Sequence, residues 1–195
     1  TSRLTSVTDH LGHTTSYLWD SLGRQTRATL PEGNYTELTY DGRGNVTQVL
    51  NVPKSGSGLS NTTQTAAFET PNCTNPRICN QPTSTTDARG FRTDYTYDAT
   101  HGGVLTVTQP GATGIAPVGT STRPQTRYGY TQSYAWYKNS SGTIIQAAGP
   151  VYRLTSTSAC ATTASCSGGG DETLTSIDYG TGSSSQASNR LPLSV

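Results

Sequence analysis

The motif Asp-x-x-Gly returns along this chain on a fixed beat, and that beat limits the possible folds more than any other feature. It occurs at Asp9–Gly12, Asp20–Gly23, Asp41–Gly44 and Asp87–Gly90, with a stretched copy from Asp98 to Gly102. Asp9 and Asp20 are eleven residues apart, Asp20 and Asp41 twenty-one, Asp87 and Asp98 eleven, and Pro31-Glu32-Gly33 fills the middle of the long gap. An aspartate side chain accepts from backbone N–H groups two residues on, which starts a turn. Glycine supplies the positive-φ residue that closes a type I turn with a bulge. The chain therefore reverses about every ten or eleven residues, and turns are expected at 9–12, 20–23, 31–33, 41–44, 87–90 and 98–103. The intervals between turns hold about seven residues, enough for a strand of roughly 23 Å, and they leave no room for a helix beyond a turn or two.

The intervals alternate as strands do. Thr15, Tyr17 and Trp19 share one face, as do Thr36, Leu38 and Tyr40, and Thr93, Tyr95 and Tyr97. Each interval ends in aromatic-Asp (Trp19-Asp20, Tyr40-Asp41, Tyr97-Asp98), and a glycine lies seven residues before each aromatic, at Gly12, Gly33 and Gly90. A proline follows one strand later, at Pro31, Pro53 and Pro110.

Composition agrees with folded β structure of an unusual kind. Only 31% of residues are hydrophobic and 13% charged, against roughly 45% and 25% in ordinary domains. Disorder also wants high net charge and few aromatics, whereas the net charge is +1, eleven residues are tyrosine, and aromatics recur at fixed spacing. The near-zero charge argues against nucleic acid as a partner. No apolar run approaches the ~20 residues of a membrane helix. The chain begins at Thr1 and contains no Met, which reads as a fragment of a longer protein.

These positions resemble the YD-repeat, or RHS-repeat, family, whose pattern is roughly Gly, six residues, Tyr-Asp, two residues, Gly-Arg, then a strand ending near Leu-Pro. Gly12…Trp19-Asp20-Ser21-Leu22-Gly23-Arg24…Leu30-Pro31 follows it with Trp in place of Tyr. Gly33…Tyr40-Asp41-Gly42-Arg43-Gly44-Asn45…Pro53 and Gly90…Tyr97-Asp98…Gly102…Pro110 follow it too, the last with one inserted residue. The resemblance is most regular over 1–53 and 81–110, weak over 124–158, and near the end only Tyr179-Gly180 keeps a trace. It implies an all-β array of antiparallel hairpins wound into a spiral, one-sheet-thick shell or solenoid segment, as in bacterial RHS shells and animal teneurins. Bacterial members often enclose a C-terminal effector domain, for which this chain shows no counterpart.

The four cysteines form two matched pairs, Cys73/Cys79 and Cys160/Cys166, each with five intervening residues. Even number and equal spacing favour two local disulfides in an oxidising compartment, each loop contributing about 2 kcal/mol by chain entropy. A four-thiolate zinc site prefers tighter spacing. Between the regular hairpins, 54–61 reads as a surface loop, 62–86 as two strands around the first cysteine loop, 110–123 as a Gly/Pro/Thr loop, and 124–158 as one longer hairpin about 138–142. No boundary divides the chain, so 1–195 is expected to be a single repeat region. The like placement of the cysteine loops suggests a super-repeat near 87 residues.

Catalytic chemistry finds little foothold. His10, His13 and His101 lie in or beside turns, and no Gly-x-Ser-x-Gly elbow accompanies them. Asp20, Asp41 and Asp98 already have a turn-capping role and lack the spacing of a calcium loop. Gly168-Gly169-Gly170-Asp171 resembles half of a calcium β-roll repeat, yet one copy reads better as a linker. The aromatic stripe is a cross-strand ladder first and a sugar-stacking platform second. Five Asn-x-Ser/Thr triplets, at Asn34, Asn45, Asn61, Asn72 and Asn139, matter only in a host that glycosylates.

The expectation is a non-catalytic structural segment, secreted or on the cell surface, with no cofactor and no metal. Its partners would be further repeats of its own chain or other copies of itself, and an enclosed effector or surface carbohydrate. The alternatives are an adhesion module that binds carbohydrate through the aromatic face, and a fibre subunit that polymerises by strand-edge pairing.

Overall fold

A computed structural model describes residues 2–69, 72–111, 123–166, 168–188 and 192. The described residues contain strands and turns and no helix. Two compact units are present, Thr1–Asp94 and Tyr95–Val195.

In the first unit the strands pair antiparallel in sequence order: β1 (Ser6–Thr8), β2 (Thr14–Trp19), β3 (Gln25–Thr29), β4 (Tyr35–Tyr40), β5 (Val46–Val52), β6 (Thr62–Ala67) and β7 (Ser84–Thr86). β8 (Arg92–Tyr97) contains the division between units, and its Arg92–Asp94 half pairs with β7. The Asp-x-x-Gly beat works as the sequence implies. In the turn 20–24 the Asp20 N–H donates to the Arg24 carbonyl at 2.9 Å and the Gly23 N–H to the Asp20 carbonyl at 3.1 Å. Gly23 and Gly44 close their turns at φ 89° and 93°, a region a β-carbon makes costly. The same pair of bonds recurs at 9–13, 30–34, 41–45 and 87–91. Just before the Asp20 and Asp41 turns the register slips by one residue, between Leu18 and Trp19 and between Thr39 and Tyr40, as expected where a bulge on the partner strand absorbs the extra residue.

Alternation is plainest in β2, where Thr15, Tyr17 and Trp19 are half-buried while Thr14, Ser16 and Leu18 are exposed. What is missing is a core. Among the described residues the buried set is Cys79, Cys160, Ser84 and Arg123. The aliphatic side chains Leu11, Leu22 and Leu59 stand exposed. Among the described residues the contacts between elements are those of neighbouring strands, so within each unit the interior that most domains have is replaced by cross-strand contacts.

In the second unit the Tyr95–Tyr97 half of β8 turns at 98–103 into β9 (Val104–Thr108). β9 pairs with β10 (Gln125–Ser133), which pairs with β13 (Val151–Cys160), which pairs with β14 (Glu172–Ser176). The expected loop at 110–123 lies mostly outside the described residues. The long hairpin expected over 124–158 reverses at 139–142 as expected, but its ladder is interrupted. β10 and β13 pair from Gln125↔Cys160 to Ser133↔Val151, and β11 (Trp136–Lys138) with β12 (Ile144–Gln146) forms a separate two-stranded sheet. The ladder breaks because 147–150 oppose only 134–135 and end in Pro150, which has no N–H to donate.

Candidate functional site

The recurring chemistry of this chain is built on the turns. Asp20 Oδ1 accepts the N–H groups of Leu22 and Arg24, both at 2.9 Å, and Asp20 Oδ2 accepts Arg24 Nε at 2.6 Å. Asp41 repeats this with Arg43, Asn45 and the Asn45 side-chain amide. Asp9 does so with Leu11 and His13, and Asp87 with Arg89 and Phe91. The backbone N–H of Arg24 holds the Asp20 carboxyl below the usual carboxylate range, against an opposing desolvation. At Asp41 desolvation is the largest influence and pushes the pKa up. The Asn45 amide and the backbone N–H groups of Asn45 and Arg43 outweigh it, so the net shift is again downward. These carboxylates are acceptors fixed in the charged form, which suits turns and not proton transfer.

The Gly-Arg and aromatic-Asp positions turn out to belong together. Arg24 Nη1 donates to the Asp41 carbonyl, seventeen residues on, at 3.1 Å, and its guanidinium lies 4.6 Å from the Tyr40 ring centroid. The Tyr40 hydroxyl donates back to the Gln25 carbonyl, fifteen residues earlier, at 2.8 Å. One repeat upstream the same contacts recur: Arg3 Nη1 to the Asp20 carbonyl at 3.1 Å across seventeen residues, and Trp19 Nε1 to the Leu4 carbonyl at 2.9 Å across fifteen. Tryptophan can replace tyrosine here because what the position supplies is a donor at the end of a flat ring. In these two copies a repeat thus hands its arginine and the next carbonyl to the aromatic-Asp of the repeat that follows.

Sequence reasoning missed a third copy. In the second unit the Arg153 guanidinium lies 5.0 Å from the Tyr179 ring centroid, and the Tyr179 hydroxyl donates to the Leu154 carbonyl at 3.0 Å. Here the separation is twenty-five residues, not fifteen, because the second cysteine loop lies between the two strands. The signal was present as Arg-Leu followed by a tyrosine, but the insertion removed it from the beat. Around Asp98 the turn is one residue longer. Asp98 Oδ1 accepts Thr100 and His101 N–H groups, and the His101 ring stacks 4.5 Å from Tyr152 and lies tilted against Tyr130 at 4.7 Å. Tyr97 packs 6.5 Å from Tyr95, and its pKa is raised by burial first and then by Tyr95.

Cys73 is joined to Cys79 and Cys160 to Cys166. Each loop is gripped by an arginine that spacing alone did not single out. Arg43 reaches the carbonyls of Glu69 and Cys79 at 2.6 and 3.2 Å and Asn80 Oδ1 at 3.2 Å. It does for the first cysteine loop what Arg24 does for the Asp41 turn, at the repeat where Asn45 occupies the usual Arg position. Arg127 reaches the Ala164 carbonyl at 2.9 Å and Cys160 Sγ at 3.2 Å. Its neighbour Glu172 is held low first by the Ser158 hydroxyl and then by the Gly168 N–H. Among the described residues no group of three or more His, Cys, Asp or Glu is arranged to hold a metal ion.

Comparison with known proteins finds a family similar to the first two copies of this unit. The RHS Repeat family matches residues 1–35 and 19–53. No curated protein matches the chain. The crystal structure of TcdB2-TccC3-Cdc42 is similar at 12% identity and a TM-score of 0.43, over 85% of this chain and 10% of that one. The crystal structure of TcdB2-TccC3 is similar at 11% identity and a TM-score of 0.39, again over 85% and 10%. The chain thus spans about a tenth of the length of those it matches, and at such scores the likeness does not bear on function. The family match covers residues 1–53, in which the Asp20 and Asp41 turns, Arg3 and Arg24, and Trp19 and Tyr40 interlock, so it is this part of the chain that is similar to the RHS Repeat family.

Proposed function

We propose that residues 1–195 form one non-catalytic repeat region of a secreted or cell-surface YD/RHS protein, a length of wall that encloses or displays other domains. The observation that carries this reading is the repeat-to-repeat contact in a sheet with almost no core. Arg24, Tyr40 and their upstream counterparts tie neighbour to neighbour. The buried described residues number only four, Cys79, Cys160, Ser84 and Arg123. A chain that gains its stability from neighbours and not from an interior is one that propagates. Two disulfides fit an oxidising compartment, and the aspartates are occupied with turns.

The partner follows from the edge. The Asp9 N–H bonds the His13 carbonyl within the β1–β2 hairpin. Alternation along β1 then turns the Ser6 and Thr8 N–H groups outward. A strand of a further repeat, or of another copy, is what such an edge accepts. The test is amide exchange on the native particle, alongside an image of it. Protection of Ser6 and Thr8 in the native material, lost in the isolated 195-residue chain, is the expected result. A native monomer with both amides unprotected, or turnover of a substrate by the isolated chain, overturns the proposal.

A further inference from the structure

The two disulfide loops differ in what surrounds the buried sulfur of each pair. We propose that Cys166 is a modification site, at which a low-molecular-weight thiol exchanges with the Cys160–Cys166 disulfide, forming a mixed disulfide on Cys166 and freeing Cys160 as the thiolate. The inference goes beyond the wall reading and does not rest on it: a wall without this exchange is still a wall.

In each pair one cysteine is shut away and the other is open to solvent. Cys160 is 3% exposed and Cys79 1%, whereas Cys166 is half-buried and Cys73 exposed. An incoming thiolate therefore reaches the sulfur of Cys166 or of Cys73, and the buried sulfur is the leaving group. Gly168, Gly169 and Gly170, just beyond Cys166, have no side chains to cover it. Exposure alone ranks Cys73–Cys79 as the pair that opens sooner. Charge reverses the ranking. When the bond breaks, its electron pair goes to the buried sulfur, and a buried thiolate without a partner is costly. At Cys160 the partner is in place, with Arg127 Nη2 3.2 Å from Sγ. A guanidinium keeps its proton, so it meets the charge as it forms. Glu172 Oε1 draws on the same cation from farther off, at 3.5 Å, and its carboxylate is already bonded by the Ser158 hydroxyl and the Gly168 N–H. In the first loop Arg43 Nη2 reaches the Cys79 carbonyl, and among the described residues no donor reaches the Cys79 sulfur.

The step balances with the thiol as its one co-reactant. A new S–S bond forms to Cys166, the Cys160–Cys166 bond breaks, and its electron pair stays on Cys160, so the thiol sulfur is oxidised as Cys160 is reduced. The loop has clasps that do not depend on the disulfide. Arg127 Nη1 donates to the Ala164 carbonyl at 2.9 Å, Thr162 donates through its N–H and Oγ1 to Asp171 Oδ2 at 3.0 and 2.8 Å, and the Gly168 N–H donates to Glu172 Oε2 at 2.7 Å. They hold Cys160 near Cys166 after the bond has opened, which lets the Cys160 thiolate attack the mixed disulfide, release the thiol and close the pair again.

The experiment treats the full chain with millimolar reduced glutathione at neutral pH, quenches samples at intervals with N-ethylmaleimide, and maps both pairs by mass spectrometry. Cys160–Cys166 is expected to open about tenfold faster than Cys73–Cys79, with glutathione on Cys166 and maleimide on Cys160 at early times. Arg127→Gln should slow that opening about tenfold. A loop that had merely come loose would open faster, so slowing separates the charge from the fold. Amide exchange at Thr162 and Gly168 reports whether the loop persists; if Arg127→Gln strips their protection, the ranking of the two pairs in the unaltered chain decides. Opening of Cys73–Cys79 as fast as Cys160–Cys166, or glutathione on Cys160, overturns the proposal. So does the absence of any opening, or an Arg127→Gln variant that keeps both amides protected and opens as fast as the unaltered chain.

Discussion

Replacing Tyr40 by Phe tests whether repeats are coupled through the aromatic hydroxyl. The change keeps the ring beneath Arg24 and removes one donor, the hydroxyl that bonds the Gln25 carbonyl at 2.8 Å in a half-buried setting. A hydrogen bond of this type is worth about 0.5–1.5 kcal/mol net, and a stranded buried carbonyl adds a desolvation cost. Gln25 is only half-buried, so water recovers part of that cost and about 1 kcal/mol is expected. Repeat arrays need not unfold in one step, so the suitable assay is native-state amide exchange, read residue by residue. About 1 kcal/mol is roughly a fivefold acceleration. It should appear in two places: at Arg43 and Asn45 in the turn beside Tyr40, and at Leu22 and Arg24 in the turn one repeat earlier. Tyr17→Phe is the control, since among the described residues the Tyr17 hydroxyl has no hydrogen-bond partner and its removal should change little. If Tyr40→Phe behaves like Tyr17→Phe, or speeds exchange only in its own turn, the coupling described here is not what holds adjacent repeats together.

Three further outcomes are expected. Gly44→Val should destabilise its hairpin by more than about 1 kcal/mol because φ is 93° there, whereas Gly42→Ala, with open space around it and no positive φ, should be nearly neutral; thermal melts of the two variants check this. Acid should loosen the aspartate turns: the folded pKa values of Asp20, Asp87 and Asp98 lie below 3.8, so their stabilisation is full above about pH 4 and is lost as pH falls through those lower values. The Asn139 turn, in which Asn139 Oδ1 plays the aspartate's part at 3.1 and 2.9 Å and cannot titrate, should keep its amide protection through the same range. Peptide mapping without reduction should recover Cys73 with Cys79 and Cys160 with Cys166, and Arg43→Gln should speed exchange across 73–79 while leaving both bonds intact.

Much of the fold was legible because its rules are local. An aspartate that caps its own turn and a glycine that must take positive φ act within five residues, so Asp20–Gly23 and Asp41–Gly44 state their turns wherever they occur. Alternation and register then follow, since a hairpin's turn fixes which residues face each other. The candidate site was legible only in part. Gly-Arg and Tyr-Asp were visible as a pattern, but not that Arg24 of one repeat serves Asp41 of the next.

The sequence alone determined that this chain is an array of short antiparallel strands, because turn chemistry repeated on a beat admits little else. Tertiary structure decided which distant groups meet. Arg43 crosses to Cys79 over thirty-six residues, Arg127 to Ala164 over thirty-seven, and Arg153 finds Tyr179 around an inserted loop. The hairpin expected over 124–158 formed with a break in its ladder at 134–135 and 147–150. The reason is geometric. A long flexible cation chooses its partner by where carbonyls and rings come to rest in space, and insertions change sequence distance without changing that place.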